Sequence, residues 1–99
     1  MAATVVFQRR AADEYLHARD WYSARSPHVS ERFTQAVNAA VAKVEASPEA
    51  CATIAGRYRY TRVRGFPYFL VFRPRSSTVT VIVAVADERR RPGYWQQRR

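Results

Sequence analysis

Arg57-Tyr58-Arg59-Tyr60-Thr61-Arg62-Val63-Arg64, then Gly65-Phe66-Pro67, then Tyr68-Phe69-Leu70-Val71-Phe72, then Pro74-Arg75-Ser76-Ser77 leading into Thr78–Ala86: this stretch decides the fold. Its first run alternates polar and bulky residues, the period of a strand with one wet face. Gly65-Phe66-Pro67 turns the chain. Tyr68–Phe72 is apolar on both faces, as expected of an interior strand. Pro74-Arg75-Ser76-Ser77 reads as a hairpin connection, and Thr78–Ala86 as a further strand buried on at least one face.

Upstream the period changes. Ala11, Tyr15, Ala18 and Tyr22 recur every three or four residues with Asp13, Glu14 and Asp20 on other faces, which predicts an amphipathic helix from about Ala11 to Ala24. Arg25-Ser26-Pro27 closes it. Ser26 can cap the next helix, and Pro27 suits a first helical position, where its missing N–H costs nothing. A second stripe follows at Val29, Phe33, Ala36/Val37, Ala40/Val41 and Val44, and Ser47-Pro48 stops it. Two helices joined by so short a turn lie antiparallel. Thr4-Val5-Val6-Phe7 reads as the first strand. Every glycine and proline falls at a predicted boundary or in the tail. The expected order is β-α-α-β-β-β: an α+β fold in which a helical hairpin packs on one face of a mainly antiparallel four-stranded sheet. Residues 1–99 form a single domain, because a chain of this length has room for one core.

The charge is unevenly placed. Residues 1–50 hold six basic and six acidic groups, residues 51–99 eleven and two, so the entire net charge of +9 lies in the second half. Sixteen of the seventeen basic residues are Arg; Lys43 is the exception. Such polarisation implies an anionic partner. Other classes drop out. A lone cysteine, Cys51, excludes a disulfide framework and suits a reducing cytoplasm. Cys51, His17 and His28 share no ligand spacing, so no metal or other cofactor is expected. No apolar run is long enough to span a bilayer, so no membrane partner is expected, and Met1–Phe7 lacks the pattern of a secretion signal. Asp13/Glu14 fit a helix N-terminus, where acids complement the dipole. Asp87/Glu88 end a strand beside Arg89-Arg90-Arg91 and are expected to be neutralised by those arginines.

The arginines at 57, 59, 62, 64, 73, 75 and 89–91 spread over one side of the sheet and its rim. Tyr58, Tyr60, Tyr68, Tyr94 and Trp95 interleave with them and could stack on bases, which would make the chain a basic nucleic-acid-binding module. Arginine also pairs bidentately with carboxylates, so an acidic protein explains the cluster equally well.

Arg9-Arg10-Ala11 opening a helix, Trp21-Tyr22 near its end, Arg32-Phe33, the Phe66-Pro67-Tyr68 strand, the Val79–Ala86 strand and the tail Arg89-Arg90-Arg91-Pro92-Gly93-Tyr94-Trp95-Gln96-Gln97-Arg98 together resemble the RelE/ParE superfamily of type II toxins, and within it the ParE-like branch, known from plasmid stabilisation systems. The resemblance covers nearly the whole chain. It implies a toxin silenced by a cognate antitoxin whose acidic, amphipathic C-terminal segment wraps it. ParE-like members poison DNA gyrase; RelE-like members cut messenger RNA in the ribosome. For the ribonuclease reading Arg62 and Tyr94 match. Phe69, however, stands where that branch has Arg after the strand Tyr, and Asp87-Glu88 replace its basic residues. The resemblance therefore implies a non-catalytic inhibitor of gyrase, with Arg89, Arg90, Tyr94 and Trp95 on the target. Arg62, Arg64 and Arg73 would take antitoxin carboxylates. Many ParE-like sequences have His where Asp87 stands.

Overall fold

The helical hairpin forms where the periodicity places it. In the computed structural model, which describes residues 4–98, α1 spans Arg9–Arg25 and α2 spans Pro27–Ala46. Ser26 ends one and starts the other. Its N–H donates to the Tyr22 carbonyl at 2.8 Å, its Oγ accepts from the Val29 N–H at 3.3 Å, and Pro27 follows at the first helical position. Tyr15 and Thr34 share a hydroxyl hydrogen bond (3.1 Å), and Ser30 Oγ donates to the Arg19 carbonyl (3.2 Å), tying the helices together. Because α1 begins at Arg9, Asp13 and Glu14 stand in its second turn and the first turn holds no acid. The dipole role expected for them fails, since that effect fades beyond the first turn.

The periodicity predicts four strands; the sheet has five. They are β1 (Thr4–Phe7), β2 (Ala52–Ala55), β3 (Tyr58–Val63), β4 (Tyr68–Pro74) and β5 (Val79–Asp87), in spatial order β1-β5-β4-β3-β2. β1 runs parallel to β5 and every other pair is antiparallel. The additional strand, β2, is Ala52-Thr53-Ile54-Ala55, in which all but Ala55 are exposed. With no alternation of burial it leaves no periodic signal. It is a strand because it pairs along β3, Ala52 opposite Tyr60 and Thr53 opposite Arg59, with a bulge at Ile54 before Ala55 meets Tyr58.

Both faces of the sheet are covered. On the inner face, Phe33, Val37 and Val44 of α2 and Ala11 and Ala18 of α1 pack on Val63, Leu70, Phe72, Ile82 and Val85. Phe33 is fully buried, its ring within 5.1–5.8 Å of Phe66, Tyr22, Tyr68 and Tyr15. On the outer face, Val71, Val81, Val83, Ala84 and Ala86 pack against Trp95. A bulge explains why Val83 and its neighbour Ala84 share that face: Val71 lies opposite Ala84 and Phe72 opposite Ile82, so Val83 is the extra residue. The chain returns to this face after β5 through a one-turn 3₁₀ helix, Tyr94–Gln97, which follows Gly93 at φ +77°. A Cβ at Gly93 would sit 3.1 Å from Gln96 Oε1 and force a left-handed backbone on an L residue.

Candidate partner-binding surface

β1 accompanies β5 only as far as Ile82, where the Gln8 N–H donates to the Ile82 carbonyl. Beyond that point β5 has no strand on this side, and its polar backbone groups need other partners. Glu14 of α1 and Arg98 of the tail supply them. Glu14 Oε1 accepts from the Val85 N–H at 3.0 Å, and Arg98 Nη1 donates to the Val83 carbonyl at 3.0 Å. The two side chains also pair with each other, Nη1 to Oε1 at 2.8 Å and Nη2 to Oε2 at 3.0 Å. The Tyr94 hydroxyl donates to Oε2 at 2.6 Å, and Arg90 Nη1 reaches the same oxygen at 3.4 Å. Arg90 lies over the Tyr94 ring at 3.7 Å, and Arg98 approaches it at 5.0 Å. Burial, then the hydrogen bond to Glu14, raises the Tyr94 pKa well above that of a free phenol.

The root of the tail is neutralised, Asp87 by Arg89 as its sequence leads one to expect and Glu88 by Arg62 of β3 instead of by the arginines that follow it. Asp87 takes Arg89 bidentately, Nε at 2.9 Å and Nη2 at 2.8 Å, together with the Arg89 N–H. That pairing holds the Asp87 carboxyl below its ordinary value. Glu88 forms an ion pair with Arg62. Thus Arg62, Arg89, Arg90 and Arg98 are all matched to carboxylates of this chain. Among the described residues Arg64, Arg73, Arg75 and Arg91 form no ion pair.

The residues expected to meet a partner do not all come together. Arg89, Arg90 and Tyr94 gather at the C-terminal end of β5. Trp95 does not join them as a contact residue: it is 2% exposed, its ring 4.9 Å from that of Tyr58. It is core, because the outer sheet face needs an apolar cover and the tail supplies one. Arg62 and Arg64 line a groove of about 520 Å³ whose other wall is Ala36, Ala39, Ala40 and Lys43 of α2. Arg73 is elsewhere. Arg62 lies opposite Phe69, and Arg73 stands four residues further along β4, about 13 Å at strand rise. There it shares a shallow cleft with Arg75 and the exposed Val6. A third cleft, of about 330 Å³, places Arg62, Arg90 and Tyr94 around the exposed Ile54 and the Tyr60–Phe69 ring pair.

Glu14, Arg98 and Lys43 are missing from the sequence expectation. No local pattern marks Glu14, whose partners lie 71 to 84 residues away. Lys43 was discernible as a cation beside the small Ala36, Ala39 and Ala40 of the second helical stripe. Cys51 is buried, its thiol pushed up by burial, and its Sγ lies 4.0 Å from the Ser47 carbonyl. Among the described residues no cluster of His, Cys, Asp or Glu is placed to hold a metal, and no helix is long and apolar enough to cross a membrane.

Comparison with known proteins agrees with the resemblance. A family model described as the ParE toxin of the type II toxin–antitoxin system parDE matches residues 5–92. Seven chains of solved structures match. One, described as a chromosomal ParDE TA system from P. aeruginosa, superposes with a TM-score of 0.74 at 16% identity, covering 87% of this chain and 96% of that one. That likeness is one of fold. None of the curated proteins matches.

Proposed function

From the premise that this chain belongs to the ParE toxin family of type II toxin–antitoxin systems, we propose that it acts in the cytoplasm as a single-domain inhibitor, residues 1–99, that binds DNA gyrase and is neutralised by a cognate antitoxin. The observation that carries the binding reading is how the tail's polar groups are already committed. Cleavage of RNA needs a group that can give or take a proton and cations free to receive phosphate. Tyr94 holds its proton toward Glu14 with a raised pKa, and Arg62, Arg89 and Arg90 face this chain's own carboxylates. Such an arrangement suits a rigid contact surface made of Arg89, Arg90 and the edge of Tyr94.

The groove between α2 and β3 supports the antitoxin half of the reading. Its floor is small and apolar at Ala36, Ala39 and Ala40, and Lys43, Arg62 and Arg64 rim it. An acidic amphipathic segment matches both features. Arg73 offers that segment a second, separate contact near Arg75.

Supercoiling by purified gyrase tests the target. Inhibition by the chain, weakened in Arg89→Ala/Arg90→Ala, is the expected result; full supercoiling with the chain in excess overturns gyrase as the target. Because one cleft also holds Arg62 and Tyr94 together, messenger RNA in a translation extract is the companion assay. Cleavage that disappears in Tyr94→Phe would replace the inhibitor reading with the ribonuclease one.

A further inference from the structure

We propose that Glu14 is the positioning residue of the C-terminal arm: its carboxylate holds residues 89–98 where Arg89 and Arg90 present themselves to a target. The proposal rests on the reading of the arm as the target contact.

The arm cannot be held by apolar area alone. Trp95 is its single fully buried apolar side chain, and Glu88 to Pro92 are exposed. Apart from the Arg89–Asp87 pair at its root and the Arg98 bond to the Val83 carbonyl, the side-chain polar contacts that fix it to the body converge on one carboxylate. Glu14 takes both Nη nitrogens of Arg98, the Tyr94 hydroxyl and, more distantly, Arg90. The Val85 N–H fastens the same carboxylate to the sheet. One side chain on α1 thereby joins the helix, the uncovered edge of β5 and the arm. Charge-assisted, bidentate contacts of this kind fix orientation as well as position.

Removing Glu14 would leave the Arg98 guanidinium, whose side chain is 9% exposed, without a counter-charge. The Tyr94 hydroxyl and the Val85 N–H would lose their acceptor. Leaving the sheet relieves all three at once, since the arm is a terminal segment and can open without the rest. Trp95 would enter solvent, and Arg90, stacked on Tyr94, would lose its fixed place. Among the described residues neither Lys43 nor Arg64 of the antitoxin groove hydrogen-bonds or ion-pairs with Glu14, so the groove would stay as it is.

Trp95 reports the arm directly, because Trp21 is the only other tryptophan. In a Trp21→Phe background, acrylamide quenching of Trp95 should rise about threefold in Glu14→Ala, as expected for a segment that opens locally. Glu14→Gln keeps an acceptor for Val85 and should fall between wild type and Ala. Growth arrest on expression in a bacterial host should weaken about tenfold in Glu14→Ala, because a contact surface loses function when its supporting shell loosens. Arg98→Lys should retain more arrest than Arg98→Ala. If Glu14→Ala does not fold, Glu14→Gln and the Arg98 pair carry the same comparison. Trp95 remaining shielded in these variants overturns the proposal, and so does an exposed Trp95 with arrest at wild-type strength. A wild-type chain that arrests no growth overturns the toxin reading of the arm instead, and quenching still decides whether Glu14 holds it.

Discussion

The two faces of the sheet are covered in opposite ways. The inner face lies under two helices of 17 and 20 residues, whose apolar stripes meet Leu70, Phe72 and Ile82 over a continuous core. The outer face lies under a short arm that contributes Trp95, partly Tyr94, and a clasp on Glu14. Area burial holds the first; a few charge-assisted hydrogen bonds and one large ring hold the second. The difference teaches where change can occur at low cost. A helix that leaves the inner face takes the core with it, whereas the arm can open alone. The candidate target contacts, Arg89, Arg90 and Tyr94, all sit on or at the root of the cover that can open.

The largest expected effect breaks the inner cover. Phe33→Ala empties a site ringed by four aromatic side chains and should cost about 3–5 kcal/mol, a large share of the stability of a domain this size. Urea denaturation should show a collapsed midpoint or no folded protein. Trp95→Ala deletes a larger ring yet should cost only about 2 kcal/mol, because the arm can detach instead of keeping a cavity. Hydrogen exchange should then quicken at Val83 and Val85 and stay slow in β3. A loss as large as that of Phe33→Ala, spread over the whole sheet, would erase the distinction between the two covers.

Smaller effects sharpen it. Ser26→Ala removes the cap between the helices and should lower stability by about 1 kcal/mol, read as a shift in urea midpoint with unchanged Trp95 quenching. The smallest concerns the root of the arm. Arg89 holds the Asp87 carboxyl below its ordinary value. The stability this contributes is complete above the titration range of an unfolded aspartate, and it is lost as pH falls through the lowered value. Asp87→Asn should therefore melt slightly below wild type at neutral pH and converge with it in acid. A gap that persists in acid would mean that Asp87 acts through shape and not through charge.

The inner half of the molecule was legible in the chain. Val29, Phe33, Val37 and Val44 announce α2 by spacing, and Ser26-Pro27 announces its start, because capping and periodicity are local facts. β2 was not legible. Ala52-Thr53-Ile54-Ala55 buries almost nothing, so its strand character comes from pairing with β3 and leaves no imprint on composition. The candidate site divides the same way. Asp87 and Arg89 are two residues apart, and their neutralisation was foreseen. Arg62, Arg64 and Arg73 read as one group, but strand register sets Arg73 apart from the other two.

The chain by itself determined the α+β class, the order of its main elements, the concentration of charge in its second half and the family to which it belongs. The first three follow from spacing and local chemistry, and the family from the resemblance that the chain's motifs carry. The tertiary structure alone decided that Trp95 is core and that Glu14, read as a helix-end acid, is the anchor of the tail. β5 outruns its parallel neighbour after Ile82, and the Val83 carbonyl and Val85 N–H left there need partners. The fold finds those partners in side chains far apart in the chain, where no sequence period reaches.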